Sequence, residues 1–165
     1  ALPIWFCKDA AEAGIDGFLI VDLPPEEDEV LRAPAGLHGL DVVRVVTPTS
    51  DDARLKTILD GASGYLYYIS MAGITGSKAI DSGDVESAIA HLRTKTKLPC
   101  TVGFGIRSPE QAGRVARFAD GAVVGTAIVS KIFENLNAKA KRDALVSDVA
   151  GFCRSLADSV HAARK

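Results

Sequence analysis

The sequence has no excess of basic charge: 19 Lys and Arg against 21 Asp and Glu leave a formal net charge of -2. That balance offers no electrostatic footprint for nucleic acid or for an anionic membrane surface. No apolar run reaches the roughly 20 residues a membrane-spanning helix needs, and residues 1–10 do not read as a signal peptide. Cysteine is scarce. Cys7, Cys100 and Cys153 are far apart and odd in number, which fits neither a disulfide framework nor a zinc site. They are expected as buried, inert thiols in a reducing, cytoplasmic setting. A Gly-x-Gly-x-x-Gly motif with an acidic partner about 20 residues on is missing too, which weighs against a dinucleotide fold. No expected strand holds a Lys, which argues against Schiff-base chemistry in this stretch. No two strand-end carboxylates form an acid–base pair.

Against these absences stands a regular alternation. Five short β-branched runs occupy 17–24, 42–48, 64–70, 99–105 and 121–127. They are nearly continuous in apolar character, as strands buried on both faces should be. Helical stripes separate them: Leu55, Ile58 and Leu59; Val85, Ala88, Ile89 and Leu92; Ala112, Val115, Ala116 and Ala119. A last amphipathic helix carries Leu145, Val149, Phe152 and Leu156, and another helix is expected within residues 1–14. Several starts are signed. Ser108-Pro109-Glu110-Gln111 places Ser at an N-cap, Pro at the first helical position and Gln at the capping-box position. "TSDD" (49–52) is a second cap cluster, and "PPEEDE" (24–29) is expected to load acid into a first turn.

The β-α repeat and its spacing predict the fold class α/β, a (β/α)8 TIM barrel, read here as one domain over residues 1–165. A doubly wound sheet is the alternative. A barrel of this kind needs about 250 residues, so five βα units are expected to form the C-terminal portion, with about three units missing before residue 1. Truncation, a frameshift or an altered start would each explain the unusual opening "ALPIW".

In such a barrel the working face lies at the C-terminal ends of the strands, with phosphate commonly held after the last two. Two glycine-bearing ends occur there. Gly103, Phe104 and Gly105 close the fourth run, and Gly125 with Thr126 closes the fifth at the start of a short helix. Glycine lets a backbone approach an anion closely, and the first N–H groups of a helix have no internal partner. Tight turns alone are the competing explanation. The long segment 67–84 is rich in Gly, Ser and Ala and reads as a functional lid or a disordered stretch, with Gly73 and Gly76 as hinges and Gly76 as a further phosphate N–H donor. Tyr67 and Tyr65 share one strand face and Tyr68 takes the other. Tyr67 is a ligand contact or a core residue. Asp22 stands at a strand end, as a catalytic group, a helix cap or an interface contact. Arg44, in the second run, is expected to snorkel at the outer face or base. His38, His91 and His161 read as solvated.

The motifs "GIDGFLIVDLPPEE", "VTPTSDDARL", "GYLYYISMAGITG", "GFGIRSPEQ" and "GTAIVSKI", in this order, resemble those of the tryptophan synthase alpha chain family. The resemblance runs from about Cys7 to Lys165. It implies a lyase that cleaves indole-3-glycerol phosphate to indole and glyceraldehyde 3-phosphate in tryptophan biosynthesis. It implies no cofactor for this chain. It also implies a beta-chain partner, in an alpha-beta-beta-alpha complex, that takes the indole and works with pyridoxal phosphate. Carried over by position, Tyr67 matches a tyrosine lining the substrate site and Thr75 the threonine of the mobile loop. Gly76, Gly103, Phe104, Gly105, Gly125 and Thr126 match phosphate-binding positions, where the family often has Ser in place of Thr126. Asp22 matches an aspartate near the subunit interface. Met71 stands where many members have Arg. The two catalytic carboxylates have no counterpart here, so the resemblance implies no catalytic residue and no lyase activity for these 165 residues alone. Two other readings compete: a different sugar-phosphate barrel, such as a ribulose-phosphate epimerase or thiamine-phosphate synthase type, and a non-catalytic module that docks on a partner.

Overall fold

The computed structural model describes residues 2–69, 82–103 and 105–164. Its elements alternate as the sequence predicts: α1 (Leu2–Glu12), β1 (Gly17–Leu19), α2 (Glu29–Leu37), β2 (Asp41–Val46), α3 (Asp52–Leu59), β3 (Leu66–Ile69), α4 (Ser82–Lys95), β4 (Cys100–Gly103), α5 (Pro109–Ala116), β5 (Gly121–Val123), α6 (Thr126–Asn137) and α7 (Arg142–Ala162). The hydrogen-bonded strand order is β1-β2-β3-β4-β5, the order in the chain. A doubly wound sheet reverses its strand order at a switch point; the described strands contain no such reversal. Consecutive βα units laid side by side are the topology of a βα barrel.

The described residues fall into two compact units, the first comprising the chain up to Ile69 together with Leu92–Cys100, the second the remainder. In the first unit β1 runs parallel to β2, with Phe18 opposite Val42, and β2 runs parallel to β3, with Val45 opposite Tyr67. Val42 faces helices α1 and α2, where Cys7, Ala10, Leu31, Ala35 and Leu40 form a buried cluster. Phe18 packs at its edge and stacks on Phe6, ring centroids 5.1 Å apart. The Asp51 carboxylate caps α3, accepting the Arg54 N–H at 2.8 Å.

In the second unit β4 and β5 are parallel, with Gly103 opposite Val123. Ile106, Ala112 and Leu156 join α5 to α7 in a second cluster, with Val115, Phe152 and Val160 packed around it. The capping box of α5 is formed in full. Ser108 Oγ accepts the Gln111 N–H at 3.3 Å, and Gln111 Oε1 accepts the Ser108 N–H at 3.2 Å. Replacing Ser108 by alanine leaves a helix-start N–H without its partner, and urea unfolding should show a loss of about 1 kcal/mol.

Three expectations are corrected. The first run was expected to extend to Pro24, but β1 ends at Leu19. It lies at the edge of the described sheet with β2 as its one strand neighbour, and the chain leaves the ladder toward the prolines. The acidic run "PPEEDE" precedes α2 rather than filling its first turn, which holds only Glu29. Arg44 does not snorkel. It is 4 % exposed, in the middle of β2.

Cys7 and Cys100 are buried as expected, but Cys153 is partly exposed, a fourth correction. Burial pushes the Cys7 thiol above its ordinary value, so less thiolate is present at a given pH. A thiol-specific disulfide reagent should therefore react quickly with Cys153 alone in the native chain, and with the other two on unfolding.

Candidate functional site

The second unit holds the two glycine-bearing strand ends. Because β4 and β5 are parallel neighbours in register, their C-terminal ends lie side by side, and both anticipated turns leave from the same edge. Gly103 is the last residue of β4 and is buried. Gly105 follows with φ +79, a left-handed conformation that explains the glycine by backbone sterics alone. From there Ile106 turns into the core and Ser108 caps α5.

Gly125 is different. It is the N-cap of α6, at φ -115, and a Cβ added there would meet nothing within 4 Å. Neither a positive φ nor a close neighbour in the protein calls for glycine at this position. Its carbonyl accepts the N–H groups of Ile128 and Val129, at 2.9 and 3.1 Å. The N–H groups of Thr126 and Ala127 lie in the first turn, where helix geometry offers them no carbonyl. The Thr126 residue is exposed beside them. The turn thus presents backbone donors and a hydroxyl to open space, at the positive end of a helix dipole.

In the first unit, Tyr67 sits on the strand face opposite to buried Leu66 and Tyr68. The predicted alternation therefore holds. It is half-buried, and burial first, then the neighbouring Tyr65, pushes its phenol above the ordinary value. Neutral phenol with a donor hydroxyl is the form present at physiological pH.

Asp22 is exposed in the connection from β1 to α2. It lines a cavity of about 290 Å³ whose other wall includes Thr47, Ser50 and Arg54. Thr75, Gly76 and Phe104 lie outside the described residues.

Beside that cavity is a feature the sequence reading missed. Asp28 is the N-cap residue of α2, yet its side chain makes no capping hydrogen bond. It faces Arg44 instead. Asp28 Oδ2 and Arg44 Nη2 form an ion pair with both side chains almost wholly buried, although Oδ2 has no aligned hydrogen bond. Arg44 Nη2 donates to the Asp60 carbonyl at 3.4 Å, while Nε and Nη1 have no partner. Desolvation lowers the guanidinium from its ordinary value, against the opposing pull of Asp28. The sequence did contain a signal: one charge inside an otherwise apolar strand, "DVVRVV", must be paired if the strand is buried. Two residues earlier in the same connection, Glu26 forms an ion pair with Arg54.

The profile of the tryptophan synthase alpha chain family matches residues 4–161. The chain belongs to the tryptophan synthase alpha chain family. Solved relatives agree. A tryptophan synthase subunit alpha from Legionella pneumophila is 34% identical, with a TM-score of 0.84 over 96% of this chain and 57% of that one. A subunit alpha from Campylobacter jejuni is 29% identical, with a TM-score of 0.76 over 89% of this chain and 57% of that one. A tryptophan synthase from M. tuberculosis, in an aminoacrylate-bound form, has a chain 27% identical, with a TM-score of 0.78 over 95% of this chain and 55% of that one. This chain thus spans a little over half the length of these relatives. Membership establishes the βα-barrel class of fold over the doubly wound alternative, and the tryptophan synthase alpha chain family over the other sugar-phosphate barrels that the sequence left open. No described helix is long and apolar enough to cross a membrane.

Proposed function

We propose that this chain carries the phosphate-holding part of an enzyme that cleaves indole-3-glycerol phosphate to indole and glyceraldehyde 3-phosphate in tryptophan biosynthesis. The observation that carries the reading is Gly125: an open glycine at the start of α6 that no contact within the protein requires, in a chain of this family. A phosphate there receives the Thr126 and Ala127 N–H groups and the Thr126 hydroxyl, with Gly103 and Gly105 at the neighbouring strand end; Phe104 and Gly76 complete the phosphate-binding set by their positions in the family motifs. Charge-assisted bonds of this kind are about twice as strong as neutral ones.

The remaining roles follow the same division. By its position in the family motif Tyr67 is a substrate-lining residue, and Thr75 is the threonine of the mobile loop. Asp22 contacts a tryptophan synthase beta chain in an alpha-beta-beta-alpha complex. This chain uses no cofactor, pyridoxal phosphate being the beta chain's, and it works in the cytoplasm. The two catalytic carboxylates, a glutamate that transfers a proton at the ring carbon and an aspartate that stabilises positive charge on the indole nitrogen, come from barrel units outside these 165 residues, so this stretch alone binds phosphate without cleaving substrate.

The reading is tested by titrating indole-3-propanol phosphate into the chain joined to the first third of an alpha chain. Saturable binding that competes with glycerol 3-phosphate supports it. Binding of other sugar phosphates with no affinity for the indole compound overturns it.

A further inference from the structure

A buried ion pair seldom repays its own desolvation, and apolar residues of similar volume often serve stability as well or better. The Asp28–Arg44 pair is a poor bargain even by that standard. It leaves Arg44 Nε and Nη1 unpartnered, and it takes Asp28 away from the capping bond that an N-cap aspartate normally makes. What the pair does achieve is geometric. Asp28 ends the connection that begins after Leu19, and Arg44 sits at the centre of β2. The Glu26–Arg54 pair, exposed and therefore the weaker of the two, links the same connection to α3. Two ion pairs thus hold residues 20–28 against the β2–α3 unit, and between them lies the cavity with Asp22, Leu23 and Pro24 on one wall and Thr47 and Ser50 on the other. Asp22 itself is exposed and forms no ion pair among the described residues.

We propose that Arg44 is a positioning residue: through Asp28 it fixes the 20–28 connection so that the free Asp22 carboxylate is held, preformed, toward a basic group of a docking partner. The partner chemistry rests on the reading above, in which Asp22 meets the beta chain; the ordering of 20–28 by Arg44 does not. A preformed rim avoids the ordering cost that a mobile loop meets on binding. Arg44 acts only through Asp28 and touches neither substrate nor partner.

The test compares the full chain with Asp28→Leu/Arg44→Met, a pair replacement expected to fold at least as stably, and with Arg44→Lys, which keeps the charge. Amide hydrogen exchange is measured across residues 20–28, and a tryptophan synthase beta chain is titrated into each. In the double variant, exchange at 20–28 should rise about tenfold while buried strand amides are unchanged, and beta-chain affinity should fall about as far as in Asp22→Asn. Arg44→Lys should recover part of both. Wild-type exchange at 20–28 in a folded double variant overturns the inference. If the wild-type chain does not bind the beta chain, the docking role of Asp22 falls, and the exchange result alone decides whether Arg44 orders the connection.

Discussion

Cutting Arg44 back to alanine is expected to lower the unfolding free energy by about 3–5 kcal/mol, the largest loss of any single substitution considered for this chain. The truncation leaves the Asp28 carboxylate buried, with Arg32 Nε at 3.4 Å as its one remaining ion-pair partner among the described residues. Arg32 is itself substantially exposed and water-screened, so it compensates poorly. A cavity in the middle of β2 adds to the loss. Asp28→Ala should cost a comparable amount, because an unpaired guanidinium is then left in the same surroundings. The two losses should not add. Removing both charges together should cost far less than the sum, which is the signature of a coupled pair in a double-mutant cycle. Denaturant unfolding of the four proteins measures this directly. A loss under about 1 kcal/mol for Arg44→Ala would mean that the pair is solvated and contributes as surface pairs do.

Gly125→Asp should separate stability from binding. Aspartate is a favoured N-cap residue and its charge suits the positive end of α6, so the helix should gain a few tenths of a kcal/mol. Nothing within 4 Å obstructs the new Cβ. The same carboxylate would stand where the proposed phosphate sits, and like charges at that distance exclude one another. Affinity for a phosphate ester should fall by about 100-fold or more, roughly 2.7 kcal/mol. Gly125→Asn keeps the cap and fills the same open space without the charge, so it should also lose affinity, though by less than the aspartate. Melting curves and phosphate-ester titrations of the three proteins provide both readouts. Unchanged affinity in Gly125→Asp would remove α6 from the binding site.

Much of the fold was legible because its signals are local. The β-branched runs at 42–48 and 99–105 became β2 and β4, since continuous apolar character is what a strand buried on both faces needs. Ser108 and Gln111 capped α5 as expected because a capping box depends on residues within four positions. The misreadings are all tertiary. The acidic run 24–29 resembles a first turn, but Asp28 is drawn to Arg44, a strand away, and the helix starts at Glu29. Likewise β1 stops at Leu19, the last of its residues paired with β2, a limit that no short-range pattern records. Arg44 was misjudged for the same reason: its partner is sixteen residues away in sequence. At the site, glycine positions could be read from the chain, but their causes could not. Gly105 answers to φ, whereas Gly125 answers to no contact within the protein.

Cleavage of indole-3-glycerol phosphate, assayed on this chain alone and on the chain joined to the first third of an alpha chain, tests the central claim most directly. The account predicts indole release from the joined protein and none from the 165 residues by themselves. Indole release from this chain alone would contradict the placement of the catalytic carboxylates, and none from a folded joined protein would contradict the proposed lyase function.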